Sequence, residues 1–466
     1  FNDFVEVGLL RAALYRAVDE AGDAGVRHDQ LTQRVFEALD LPLEQYATDP
    51  MVKFAALSNT QSALRNVLGY RLYRDLQKGW RITLPNLEQC GLLSIEYESL
   101  EELCAAQEEW VGSHQALVSA TPVMRAAIAK TMLDWMRRGL AIKVDYLRSE
   151  YQEGLKQQSS QRLCPPWAID EQERLETATV VFPRSARAGD YGGNLFLSGR
   201  GGFGQYLRRP NTFPDHSSKL LVVDADAIIR QLLEILRRAG LVEPVVEGGN
   251  GEVPGYQLPA AAMIWKAGDG TIPYHDPIRV PQMPAGGGHV NSFFVGFYKK
   301  TARGIAGIEA REHTAQVAYD DREEREKRFR EGRLPILFCS PTMELGVDIA
   351  ELNVVNMRNI PPNPANYAQR SGRAGRSGQP ALVYSYCTTG SPHDQYFFNR
   401  PERMVAGAVT PPRLDLANED LIKAHVHAIW LAETDLSLGK SLKDILDLSG
   451  DEPTLQLQEH VRAQVE

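Results

Sequence analysis

Between Asn366 and Pro380 the chain reads "NYAQRSGRAGRSGQP", setting Arg370, Arg373 and Arg376 at three-residue intervals among glycines and serines. Guanidinium groups stay charged at physiological pH and offer planar, forked donors, so such a set suits a polyanion, above all phosphate. Gln369, Gly372, Arg373 and Arg376 spell Q-x-x-G-R-x-x-R. On a helical turn, residues three apart point the same way, and the small Gly372, Ala374 and Gly375 would let phosphate groups come close. Two arginines on one face could neutralise the charge that builds on a transferring γ-phosphoryl group. The plain alternative is a solvated basic loop.

The bulk of the chain does not draw nucleic acid to it. Its 466 residues carry 51 basic and 60 acidic side chains, a net charge of −9, so a polyanion site must be local. Cys90, Cys104, Cys164, Cys339 and Cys387 form no CxxC pair, which argues against a zinc knuckle or a disulfide framework and for a reducing interior. No metal ligands are expected. No apolar run is long enough to span a bilayer and the start lacks a basic leader, so a cytoplasmic protein with no membrane segment is expected. The first residue is not methionine and "QEHVRAQVE" breaks off within a helical pattern, so a piece of a longer chain is expected.

The arginines need elements to position them. From residue 276 to 400 the pattern predicts alternating strands and helices: a helix in "SFFVGFYKKTARGIAG", a short strand in "REHTAQV", a charged helix in "DREEREKRFREG", a buried strand in "LPILFCS", further strands in "LNVVNMRNI" and "ALVYSYC", and a helix and loop in "NPANYAQRSGRAGRSG". Such alternation indicates a parallel α/β sheet. Loops at the carboxyl ends of parallel strands gather ligands, so "PTMELGVDIAE" and the arginine stretch are expected to share one sheet edge.

The rest reads as mixed α+β accessory structure. Residues 1–97 are expected to be a winged-helix-like helical region, with a small hairpin in "GWRITLPNLEQCGLLSIEY". Residues 98–163 read as a helical connector and 164–213 as an irregular Gly/Arg-rich insertion. Residues 214–275 read as a second winged-helix-like unit, or alternatively "KLLVVDADAIIRQLLEILRRAG" is one strand and helix of an α/β domain. Residues 401–466 read as a helical region.

"PTMELGVDIAELNVVNM" and "NYAQRSGRAGRSGQ" resemble motifs V and VI of superfamily 2 helicases, in the right order and spacing. The resemblance implies that residues 276–400 are the second RecA-like domain of such a helicase. It makes Arg373 and Arg376 arginine fingers toward ATP, with Gln369, Gly372, Gly346 and Asp348 near the nucleotide and Thr342 on a nucleic-acid phosphate. Arg370 is then structural or DNA-facing. "REHTAQV" resembles the segment where such helicases hold a strand backbone, which makes His313 and Thr314 further DNA candidates; His313 could equally just satisfy a strand end. "EHTAQV", "FCSPTMELGVDIA", "NIPPNPANYAQRSGRAGRSGQPALV" and "SPHDQYFF" look like the DrmA helicase subunit of the DISARM anti-phage defence system and, more distantly, MrfA-type helicases. That implies ATP- and Mg²⁺-dependent work on DNA with single-stranded character, beside a partner subunit carrying a DUF1998 domain. A DNA- and partner-binding scaffold without turnover, or an RNA helicase, are the rivals.

An ATPase also needs a G-x-x-x-x-G-K-[ST] loop and a carboxylate pair for magnesium. The sequence has neither, so this chain alone is expected to turn over little ATP, with the nucleotide and Mg²⁺ held mainly by another RecA-like domain. "LGKS" at Leu438 lacks the leading glycine, and "DEAG" at Asp19 closes an amphipathic pattern. "SATP" at Ser119 reads as a helix cap, Thr121 followed by Pro122. "GGFGQYLRRP" could stack a nucleic-acid strand on Phe203 and Tyr206 beside Arg208 and Arg209, or be an ordinary solvated loop.

Overall fold

In the computed structural model, residues 2–77, 84–170, 172–190, 192–248, 253–283, 287–340, 352–375, 379–408, 417–434, 439–448 and 454–465 are described. By contacts the chain forms one unit over Phe1–Ser340 and a second over Pro341–Glu466.

In the first unit, apolar residues at helical spacing build the core. The helix Val222–Arg238 buries Ala225, Ile228, Ile229, Leu232, Leu233 and Leu236 along one stripe, each large side chain contributing about 1.5–3 kcal/mol. It ends where Gly240 turns left-handed at φ +74, a conformation that costs glycine nothing. The helix Pro122–Arg138 starts on Thr121, whose side chain accepts from the Met124 amide at 3.3 Å. "SATP" is therefore a cap. "DEAG" likewise falls at the end of the helix Asn2–Ala21.

Three strands, β1 (Val26–Arg27), β2 (Leu93–Tyr97) and the later Met263–Ala267, form an antiparallel sheet with Met263–Ala267 in the middle. Among the described residues β2 forms no local hairpin of the kind expected in residues 79–97. Its partner comes from the stretch read as a second winged unit, so the two stretches share one sheet; residues 78–83 lie outside the described ones. β3 (Ile142–Lys143), β4 (Val180–Phe182), β5 (Asn194–Phe196), β6 (Glu243–Val246) and β7 (Gly255–Pro259) make a second sheet, ordered β3-β7-β4-β5 with β6 on β7. Met263–Ala267 is β8.

Burial here includes charge. The Arg137 guanidinium, 0% exposed, meets Glu88 through both nitrogens at 2.8 and 2.9 Å and Asp134 at 3.0 Å, and the Tyr97 hydroxyl donates to Asp134 at 2.8 Å. Burial alone would raise the Asp134 carboxyl, but Arg137 and Lys130 hold it below the ordinary range.

"GGFGQYLRRP" is spent on packing. Phe203 is buried, and Arg209 lies on the Tyr206 ring and donates to the Pro277 and Ile278 carbonyls.

Toward the end of the first unit, β9 (Ala310–His313) and β10 (Ile336–Cys339) pair in parallel, with His313 opposite Cys339. The helix Tyr319–Arg330 crosses between them. β10 is less buried than "LPILFCS" suggested, Phe338 being 54% exposed. In the second unit, β11 (Val354–Met357) and β12 (Leu382–Ser385) are a second parallel pair, joined through the helix Pro364–Ser371. Helices Pro392–Phe398, Glu402–Val405 and Glu419–Glu433 follow. The α/β alternation is thus present as two parallel ladders, in a mixed α and β chain. Among the described residues no helix is long and apolar enough to cross a membrane, and no group of three or more His, Cys, Asp or Glu could hold a metal ion.

Candidate functional site

The helix Pro364–Ser371 starts because Asn363 caps it, its side chain accepting from the Asn366 amide at 2.9 Å, and because Pro364 needs no donor at the first position. The helix ends where the Gly372 amide closes on the Ala368 carbonyl at 2.9 Å. Gln369, exposed, and Arg370, half-buried, fall in its last turn; Gly372 and the half-buried Arg373 follow directly. These four residues are therefore brought together at one helix end.

One expectation changes. A crossover helix runs back against the strands it joins, so its carboxyl end lies at their amino end. The arginine loop accordingly sits at the amino end of the β11–β12 ladder: Ala374 bridges Leu352, and the Gly375 amide donates to the Leu352 carbonyl at 3.0 Å. The helix ends at Ser371, before Arg373 is reached. Gly375 stands between Arg373 and Arg376 at φ +72, where a Cβ would come within 3.0 Å of Ala381 Cβ and the Gln379 carbonyl. Arg376 itself lies outside the described residues, as do Thr342, Gly346 and Asp348.

The remaining predicted residues end β9. His313 is 6% exposed, and its Nε2 is 2.7 Å from Glu326 Oε1 on the helix Tyr319–Arg330. Thr314 follows with its hydroxyl buried; neither that oxygen nor His313 Nδ1 has a hydrogen-bond partner among the described residues. Two more ties seat the helix on the strand: Arg325 donates to the Glu312 carbonyl at 2.7 Å, and Arg328 pairs with Glu309, which also takes Arg311. Burial alone would raise the Glu309 carboxyl, but hydrogen bonds from Arg328 and Arg311 hold it below the usual glutamate range. The same helix face opens on a cleft of about 220 Å³ lined by Tyr319, Arg322, Glu323, Glu326 and Arg330.

Glu326 was not singled out from the sequence. It sits among look-alike charges in "DREEREKRFREG", and only the tertiary contact distinguishes it. Further second-unit residues also escaped notice. Buried Asp394 accepts from the Thr388 amide at 2.8 Å, and His393 Nε2 lies 3.0 Å from the Pro361 carbonyl, ordering the turns that follow β11 and β12.

Residues 290–378 match the helicase conserved C-terminal domain. Over 145 residues the chain is 40% identical to the Druantia protein DruE of Escherichia coli (strain UMEA 4076-1). That stretch is 28% of this chain and 8% of the relative, so the chain spans a small part of the relative's length. Among solved structures, the DUF1998 helicase MrfA bound to DNA and AMPPNP matches at 26% identity over 28% of this chain and 19% of that one, with a TM-score of 0.25, too low for a likeness of fold. Both the β9 end and the arginine loop fall inside residues 290–378. Through those residues, which match the helicase conserved C-terminal domain, the chain resembles superfamily 2 helicases.

Proposed function

We propose that the chain is the C-terminal part of an ATP-dependent superfamily 2 DNA helicase or translocase, working in bacterial anti-phage defence of the DISARM kind. The carrying observation is that the helicase C-terminal match reaches the Q-x-x-G-R stretch, with Gln369, Arg370, Gly372 and Arg373 grouped at one helix end. The donor set fits phosphate: guanidiniums and a carboxamide beside a glycine without a side chain. The two parallel ladders with their crossover helices support a RecA-like second domain within residues 276–400. Residues 1–275 would be its winged-helix-like and helical accessory regions and 401–466 a helical tail.

In this reading Arg373 and Arg376 stabilise charge on the γ-phosphate that bound ATP supplies, and Gln369, Gly372, Gly346 and Asp348 border the nucleotide. ATP and Mg²⁺ are held mainly by a RecA-like domain outside these residues. Thr342, Thr314, His313 and Arg370 meet the DNA strand, and a DUF1998-domain subunit is the partner. The defence setting rests on the likeness in wording to the DISARM subunit.

The test is DNA-stimulated ATPase of the natural full-length protein, run beside matched RNA strands. Turnover with DNA is expected, and Arg373→Ala and Arg376→Ala should together cut it by about 10³ or more while ATP still binds. Absence of turnover with any nucleic acid would overturn the motor reading. Equal stimulation by RNA would remove the DNA assignment, and near-normal turnover in either variant would remove that arginine from its role.

A further inference from the structure

We propose that Glu326 is a positioning residue that fixes the ring of His313 with Nδ1 as a hydrogen-bond acceptor, leaving the phosphate contact at the carboxyl end of β9 to Thr314. This rests on the reading that the β9 end meets a nucleic-acid backbone.

The carboxyl ends of β9 and β10 lie side by side in parallel register, His313 opposite Cys339, the kind of edge where ligands gather. A carboxylate only accepts. His313 Nε2, 2.7 Å from Glu326 Oε1, must therefore carry a proton, and in the neutral ring Nδ1 is left with a lone pair and nothing to give. A phosphate oxygen needs a donor, which this tautomer does not offer at Nδ1. The Thr314 hydroxyl can rotate and donate. Both Nδ1 and Thr314 Oγ1 are buried and unpaired among the described residues, and a buried polar group without a partner is costly, so each points to a partner from outside them. The matching partners differ: an N–H or O–H for His313, an acceptor for Thr314.

Glu326 can hold this arrangement because its helix is itself held. Arg325 on the Glu312 carbonyl and Arg328 on Glu309 pin the helix to the residues before and along β9, on either side of the His313 contact. Residues 309, 312 and 313 meet 328, 325 and 326 respectively, three ties within one stretch of the helix. Removing Glu326 frees the ring to place its proton on either nitrogen while the two other ties remain.

The experiment measures the half-saturating concentration of a single-stranded thymidine oligonucleotide in stimulated ATPase of the full-length protein, with kcat and thermal unfolding recorded for each variant. Glu326→Leu is expected to raise half-saturation about three- to tenfold, the worth of one hydrogen bond, with kcat within about twofold. Glu326→Gln, which keeps an accepting oxygen, should stay within about twofold of wild type. Thr314→Val should raise half-saturation similarly, and Glu326→Leu should add nothing once His313→Ala is present, because the effect passes through the ring. Glu326→Ala replaces the leucine variant should that fail to fold. The proposal is overturned if Thr314→Val has its effect and Glu326→Leu has none, if glutamine fares as badly as leucine, or if the loss persists in full without His313. If Thr314→Val and His313→Ala both leave half-saturation unchanged, the underlying reading of the β9 end falls first, and this proposal with it.

Discussion

Replacing Gly375 by alanine tests whether the left-handed turn seats the arginine loop. At φ +72 a side chain costs about 1–2 kcal/mol. The new methyl would also stand 3.0 Å from Ala381 Cβ and the Gln379 carbonyl, so the start of β12 must give by a few tenths of an ångström. Against this, alanine narrows the unfolded ensemble by about 0.4–1 kcal/mol. The net loss should be about 1–2 kcal/mol, roughly a tenfold change in equilibrium at 1.4 kcal/mol per decade. It falls on the segment where Ala374 and the Gly375 amide are tied to Leu352, so Arg373, two residues earlier, loses its support. Urea unfolding compares Gly375→Ala with Gly390→Ala, where a Cβ meets nothing within 4 Å and no left-handed φ arises. ATPase of the full-length variants then shows whether turnover follows stability. If Gly375→Ala is as stable and as active as the Gly390 control, the turn is not what positions the loop.

Thr121→Ala should lower stability by about 1 kcal/mol, the worth of an N-cap, and leave kcat unchanged; a turnover defect exceeding the stability loss would give "SATP" a role beyond capping. Arg137→Met leaves buried Glu88 without its cation and Asp134 with Lys130 alone, and should cost about 3–5 kcal/mol in urea unfolding; a loss under about 1 kcal/mol would mean that water reaches the network. Glu309→Gln bears on pH. The folded carboxyl is held below the ordinary glutamate value, so its contribution is complete above that value and lost as pH falls through the depressed one. The stability gap between wild type and Glu309→Gln should therefore be open at neutral pH and close below about pH 4, and a gap independent of pH would rule out charge as its source.

Local rules made much of the chain legible. Apolar spacing and a following glycine mark Val222–Arg238, a Thr-Pro pair marks the start of Pro122–Arg138, and alternation of strand and helix marks β9 to β12. What stayed hidden is pairing over long separations. β2 lies beside a glycine-bearing turn that suggests a hairpin, yet it pairs with β8, because no local spacing records which distant strand completes a sheet. "GGFGQYLRRP" misleads similarly: aromatic and basic residues in a Gly-rich stretch look available for stacking, but Phe203 fills the core and Arg209 is taken up by two carbonyls on residues 277 and 278. Composition cannot say whether a side chain's needs are met by its own fold or left for a ligand.

The same distinction governs the site. The three-residue spacing of Arg373 and Arg376 suggests one helical face, but that inference holds only while the helix continues, and here it ends at Ser371 with Gly375 turned left-handed beyond it. The glycines that seemed placed for phosphate access thus divide into two kinds. Gly375 is favoured by the backbone itself, since a side chain there would meet both a left-handed φ and a 3.0 Å approach to Gln379 and Ala381. Gly372 keeps an ordinary right-handed conformation at φ −66, so backbone conformation alone does not demand it. A methyl at Gly372 would lie 2.8 Å from the Ala368 carbonyl, so the helix end is closely packed there whatever the residue faces outward. Phosphate access is therefore best tested at Arg373 and Gln369, two donor-bearing side chains at this helix end.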